Sequence, residues 1–305
     1  MTFGDKYEYV LRRPPLGPVA KSAHDMSREF KVLSVLYKTF NQSPQAYLFC
    51  DDESIIGAPF FIMERKKGIV IRHMFPEEYK KDPDIGKKIS IAMVETLAKL
   101  HTVKYKEIGL EDLGKPEGFI ERQVHGWYRR WNNAKHKDFP EMDEIHKWLA
   151  DNLPQTSTHS IIHNDFKLDN IMLDKEDPSK IVSVFDWDMC TLGDPFSDVG
   201  ALLAYWYDAR NDPPYMKHIA TMPIDPDLNF LTREELVKIY QKHTGFSTSN
   251  INFYHVLGLF RLVVIIAQIY IRYVKGQTKD DRFKGFSELI PLLIKRTTDI
   301  MSSSN

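Results

Sequence analysis

The sequence predicts an α+β protein whose strands come early and around one central motif, with helices filling the remainder. Three observations carry this. Residues 9–11 form a short β-type run, and residues 61–68 (FIMERKKG) read as a buried strand ending in a charged turn. Apolar residues flank a polar loop at 161–173 (IIHNDFKLDNIML), and a further strand, IVSVF from Ile181, follows a turn rich in Asp, Pro and Ser. Beyond residue 65, helical periodicity dominates: 85–103 carries Ile89, Met93, Leu97 and Leu100 on one face, and 142–153 and 198–207 read as further helices. Thr232 with Glu235 marks a capping box, and Gly245 suits the stop of that helix.

The central loop has a chemistry of its own. His163, Asp165 and Asn170 spell HxDxxxxN, and the strand that follows runs directly into Asp186. Phosphoryl transfer asks a protein to position groups and neutralise charge rather than to do covalent work. A carboxylate must take the proton of the attacking hydroxyl, a role that fits Asp165. Oxygen ligands must hold Mg²⁺ against phosphates, and Asn170 and Asp186 suit that. Lys167 reaches the transferred phosphate as a mobile point charge. The flanking strands are expected to bring Asp165, Asn170 and Asp186 to one end of a single small sheet.

Five further segments extend the pattern: YVLRRPP (9–15), AHDMSREFKVL (23–33), IIGAPFFIMER (55–65), EGFIERQVHGW (117–127) and GDPFSDVGAL (193–202). With the central motif they resemble the aminoglycoside phosphotransferase and choline kinase superfamily, whose fold is similar to that of protein kinases. Within it they look most like the phosphotransferase-like domain that some proteins fuse to an acyl-CoA dehydrogenase. The resemblance implies a two-lobed fold, with a small β-rich lobe over residues 1–64 and a larger helical lobe over 65–305. It implies ATP and Mg²⁺ as cofactors, Asp165 as base, Asn170 and Asp186 as metal ligands, and His163 and Asp198 as structural support. Arg12 stands where many relatives place Lys, and Glu29, on a helix expected over 22–37, is its acidic partner. On residues alone, Arg12 and Glu29 read as solvated surface charges. By resemblance only, the adenine lies against Met63, Glu64 and Arg65, with backbone groups reading its edge. The family also places a strand and a glycine loop over the phosphates; Met1 stands eight residues before Tyr9, so most of that element is expected to be missing. A catalytically impaired nucleotide-binding protein is one reading of that shortening.

Composition bounds the remaining classes. A chain of 305 residues buries a large core plus a small lobe, and a net charge of −1 gives no argument for nucleic acid or membrane binding. Cys50 and Cys190 lack metal-ligand spacing and suit a reducing cytoplasm. The apolar stretch 257–274 is interrupted by Arg261, Gln268 and Arg272, and reads as a buried helix rather than a membrane span. No GxxxxGK[ST] and no HExxH occurs, which excludes a P-loop NTPase and a zincin.

The acceptor is read from two opposed charge runs. Between 121 and 137, five basic residues face one acid, with Trp127, Tyr128 and Trp131 interleaved. That suits an anionic, partly apolar small-molecule hydroxyl acceptor such as a hydroxyacyl-CoA, and a link to acyl-CoA metabolism. Between 193 and 230, six Asp outnumber Arg210 and Lys217, which suits a cationic aminoglycoside or choline. Either run reads equally as a solvated face. The proline-rich stretch 209–230 is expected to be a long loop bordering the acceptor site.

Overall fold

In the computed structural model, which describes residues 2–3, 7–15, 25–72, 75–155, 158–218, 222 and 224–303, the chain opens with strands. β1 (Thr2–Phe3), β2 (Tyr7–Arg12), β3 (Ala46–Cys50) and β4 (Phe60–Glu64) form an antiparallel sheet in the order β1-β2-β4-β3. A short strand therefore does precede β2, where most of that element was expected to be missing; Gly4, between the two, lies outside the described residues. Helix α1 (Met26–Leu36) packs against β3 and β4, and a single turn, α2 (Glu53–Ile56), leads into β4. The helix expected over 22–37 begins at Met26, because the Asp25 side chain accepts the N–H groups of Ser27 and Arg28 and so caps it. Residues 22–24 lie outside the described residues.

The larger lobe is mostly helical. It contains α3 (Ile85–His101), α4 (Phe119–Ala134), α5 (Pro140–Asp151), four short strands, and then α6 (Phe196–Tyr205), α7 (Arg233–Thr244), α8 (Ile251–Val274) and α9 (Phe286–Ser302). Thr232 and Glu235 form the expected capping box, and Gly245 closes α7 in the left-handed conformation. The strands are β5 (Ser160–Ile162), β6 (Ile171–Leu173), β7 (Ile181–Val184) and β8 (Thr191–Gly193). They do not make one sheet. β6 pairs with β7 as the hairpin expected from the turn between them, but β5 pairs with β8 in a separate ribbon. The functional loop thus runs from one ribbon to the other, with Asp165 and Asn170 between β5 and β6 and Asp186 just after β7.

Helix α8 is the spine of this lobe, packing against α4, α5, α6 and α9. It is long and apolar enough to cross a membrane, yet most of its apolar stretch is buried inside the fold. Its crossing with α6 is close enough that only glycine fits. A Cβ on Gly200 would lie 2.0 Å from the Tyr254 carbonyl oxygen, and one on Gly258 would lie 2.2 Å from the Gly200 carbonyl oxygen. Both neighbours are helical backbone, so relief requires the helices to separate and leave voids.

Gly258→Ala is expected to lower the unfolding free energy by about 2 kcal/mol or more, as overpacking does. Gly285→Ala, where an added Cβ meets nothing within 4 Å, should stay within about 0.5 kcal/mol. Urea unfolding of both variants checks the contrast.

Candidate active site

One buried carboxylate organises the loop between β5 and β6. Asp198, in the first turn of α6, accepts the His163 N–H at 2.6 Å through Oδ2 and the Asn164 N–H at 2.7 Å through Oδ1. Its side chain is wholly buried, and burial works to raise its pKa. Hydrogen bonding from His101, joined by the His163 N–H, outweighs that and holds the carboxyl below its ordinary range. His101 in turn is 2.7 Å from the Tyr240 hydroxyl through Nδ1 and 3.3 Å from Asp198 through Nε2. Since a carboxylate only accepts, Nε2 carries a ring proton, and Nδ1 meets the Tyr240 hydroxyl.

The same reasoning assigns His163. Its Nε2 is 2.7 Å from the Phe185 carbonyl and its Nδ1 accepts the Asp165 N–H at 3.2 Å. The ring is therefore neutral with its proton on Nε2. It ties the Asp165 backbone to the end of β7, and packs edge-on to Trp187. Two residues here have left-handed backbones, Asn164 (φ 65°) and Asp186 (φ 63°), a region that Asn and Asp tolerate better than other side-chain-bearing residues. Asn164 is held there by three further bonds: its N–H to Asp198, its side chain to the Met189 carbonyl, and its own carbonyl accepting from Arg261.

Asp165, Asn170 and Asp186 are brought together as expected from the motif. The Asn170 amide nitrogen donates to the Asp165 carbonyl at 2.8 Å and to its Oδ2 at 2.7 Å. Both partners only accept, so the amide nitrogen faces Asp165 and Oδ1 is left to take a cation. Lys167 Nζ lies 3.1 Å from Asp165 Oδ2 and over the Tyr205 ring. Burial opposes its charge, but Asp165, Tyr205 and Asp169 prevail and raise its pKa.

Across the cleft, Arg12 does join Glu29, and it joins Asp186 as well. Nε is 3.2 Å from Glu29 and Nη2 is 2.9 Å from Asp186. Arg12 and Glu29 are thus not the solvated pair that residues alone suggest, for the Glu29 side chain is 3% exposed. Burial pushes the Glu29 carboxyl up to about 7, against the pull of Arg12. For Arg12, burial is outweighed by Glu29 and Asp186, and its pKa is raised.

Arg12, Glu29, Asn170 and Asp186 line a cleft of about 560 Å³ between the sheet and the β6–β7 hairpin, with Leu11, Met63, Val70 and Met172 on its apolar wall; Asp165 and Lys167 are not on its lining. Met63 is where the adenine contact was expected. The Glu64 and Arg65 side chains are not on that wall. Arg65 pairs with Glu8 and Glu64 with Lys66, and the Glu64 N–H is taken by the Gln45 carbonyl. Sequence reasoning missed Asp169, Arg13 and Arg72, which also line the cleft. Asp169 directly precedes Asn170, and burial, partly offset by Lys167, raises its pKa.

A second hollow, of about 330 Å³, is lined by Asn164 of the same loop. It shares no lining residue with the cleft, and Asn164, Met189, Trp127 and Arg130 are among its walls. Most of the acidic run, by contrast, is turned inward, although Asp225 is half-buried and Asp227 exposed. Asp212 is fully buried and bound by Arg233 and Arg296 at 2.5 to 2.7 Å, Asp208 accepts the Arg233 N–H, and Asp194 accepts the Tyr254 hydroxyl. These carboxylates brace the fold and have little capacity left for a cationic acceptor.

A small β-rich lobe over a helical one, with a carboxylate–amide pair and a second carboxylate at the cleft between them, defines a phosphotransferase of protein-kinase-like fold. Residues 2–222 match the phosphotransferase enzyme family, and the chain belongs to it. It is 32% identical over 285 residues to human acyl-CoA dehydrogenase family member 11, covering 92% of this chain and 36% of that protein. With the chicken protein of the same name, identity is 30% over 300 residues, covering 96% and 37%. The chain thus spans little more than a third of these relatives' length. Among solved structures, a putative aminoglycoside phosphotransferase from Ralstonia eutropha superposes with a TM-score of 0.82 at 28% identity, covering 97% of this chain and 86% of that one. A choline/ethanolamine kinase family protein from Mesorhizobium loti shares the fold, with a TM-score of 0.57 at 15% identity over 96% and 82% of the two chains.

The raised Glu29 pKa carries a sign. The folded protein holds this proton more tightly than the unfolded chain, so this group's contribution to stability falls as pH rises from about 4.5 to about 7 and is level above. Glu29→Gln removes the titration. Denaturant unfolding at pH 5 and pH 8 should show the variant gaining stability relative to wild type, by on the order of 3 kcal/mol.

Proposed function

We propose that this phosphotransferase moves the γ-phosphoryl group of ATP to a hydroxyl of a hydroxyacyl thioester of coenzyme A. The observation that carries the chemistry is the pinned Asn170 amide, which leaves its Oδ1 for a cation while holding Asp165 in place. Asp165 takes the proton of the acceptor hydroxyl as the new O–P bond forms. The bond from the γ-phosphorus to the bridging oxygen breaks, and ADP leaves with the electron pair. Lys167, 3.1 Å from Asp165, balances charge beside the transferred group. Arg12 is within reach of phosphates in the cleft, with Glu29 orienting it.

The residues fit Mg²⁺. Asp186 and Asn170 offer the hard oxygen donors this ion prefers, and few protein ligands are needed where phosphates and waters complete the shell. Bound there, the ion neutralises charge on phosphate oxygens. Nucleotide use is in keeping with a more distant structural neighbour, an aminoglycoside phosphotransferase whose structure holds AMP-PNP and hygromycin B.

The acceptor assignment is supported by the names of the curated relatives, which point to acyl-CoA chemistry, and by the basic, tryptophan-bearing wall of the second hollow. An aminoglycoside or choline acceptor would need free carboxylates, and Asp208 and Asp212 are occupied internally.

Titration calorimetry with MgATP should show binding to wild type, nearly equal binding to Asp165→Asn, and at least tenfold weaker binding to Asp186→Ala. With a hydroxyacyl-CoA as acceptor, Asp165→Asn should lose about 10²- to 10⁴-fold in turnover. Transfer by Asp165→Asn at the wild-type rate would overturn the mechanism.

A further inference from the structure

The hollow beside Asn164 holds an arrangement of charge that the fold alone does not require. Lys115, Arg122, Arg130 and Arg261 all line it, and no Asp or Glu does. Arg130 and Arg261 place their guanidinium carbons 4.3 Å and 5.3 Å from the centre of the buried Trp127 ring. Arg122 donates from Nη1 and Nη2 to the Glu117 and Lys115 carbonyls, and among the described residues no carboxylate pairs with it. The Arg261 Nε is buried and has no hydrogen-bond partner. Burial, with Arg261 and Arg129 close by, pulls the Arg130 pKa below its ordinary value. Like charges gathered in a concave, partly desolvated site repel one another, and stacking on Trp127 offsets that only in part. An anion entering the hollow would relieve that repulsion.

Position says what the anion belongs to. Asn164 lines the hollow, its neighbour Asp165 is the proposed base, and no residue of the nucleotide cleft lines the hollow. A molecule seated there therefore meets the chain one residue from Asp165 without occupying the ATP cleft.

We propose that this hollow is an anion subsite for the acceptor, taking a phosphate or diphosphate group of the molecule whose hydroxyl is phosphorylated. Four cations without an acid match a multiply charged phosphate better than a single carboxylate. Arg130 and Arg261 offer planar forks of donors for its oxygens, and Trp127 offers an apolar face for the adjoining carbon skeleton. The assignment of the anion to the acceptor rests on the kinase reading above; the anion site itself does not.

The test is titration calorimetry on the whole chain, with the nucleotide cleft first saturated with Mg²⁺ and AMP-PNP so that a nucleotide-like probe cannot enter it. The probes are coenzyme A and inorganic pyrophosphate. Wild type should bind at least one of them, with affinity that falls as salt is raised. Arg130→Gln should weaken that binding at least tenfold and leave AMP-PNP binding unchanged. Lys115→Gln, on the exposed rim and away from Trp127, should weaken it severalfold, and serves if Arg130→Gln proves unstable. Tighter binding of coenzyme A than of pyrophosphate would name a coenzyme A ester as carrier of the phosphate. Equal binding would support the subsite for phosphate esters in general. Failure of both probes to bind wild type, or binding indifferent to both substitutions, would overturn the proposal. If AMP-PNP does not bind while the probes still depend on Arg130, the kinase reading falls and the anion site stands.

Discussion

The buried carboxylate of Asp198 is the constraint on which the site depends. It has no contact with solvent, and its charge is met by two backbone N–H groups and by His101. Those two N–H groups belong to His163 and Asn164, so one side chain on α6 sets the path of the chain immediately before Asp165. A buried ion is costly, and removing one partner of such a group commonly costs about 3–5 kcal/mol. The loop geometry and the stability of the large lobe are therefore not separable at this point. The line extends through His101 to Tyr240 on α7, so three helices converge on a single anion.

The rest of the site is arranged around that fixed loop. Asn170 and, through the hairpin, Asp186 line the cleft; Asn164 and the Trp127 wall line the second hollow. Arg261 links that hollow to α8, the helix locked to α6 by the Gly200–Gly258 crossing. The hollow is thus built on the large lobe alone, whereas the cleft is shared between the large lobe and a small sheet.

Much of this was legible in the residues, and what was not has physical causes. HxDxxxxN followed by a strand running into Asp186 picked out the loop in which the Asn170 amide does bond Asp165. Helix α3 starts at the expected residue because Ile89, Met93 and Leu97 repeat at helical spacing. Pairing was less legible: three short apolar strands look alike, and nothing local says that β5 prefers the distant β8 to its neighbour β6. The acidic run misled for a related reason, since a count of Asp residues cannot tell a solvated loop from carboxylates buried on Arg233. Arg261 was read only as a charge that argues against a membrane span. Its bond to the Asn164 carbonyl joins residues 97 apart in sequence, and no local pattern encodes such a contact.

Helix α1 belongs to the small lobe by sequence but is bolted to the large one. Arg28 donates to the carbonyls of Leu113 and Cys190, and Lys31 pairs with Asp112 at 2.6 Å. Glu29, on the same helix, thus sits where α1 is tied both to the sheet, through β3 and β4, and to the large lobe. The Arg12 guanidinium on β2, gripping Glu29 and Asp186 together, adds a further rivet between the two lobes at the mouth of the cleft.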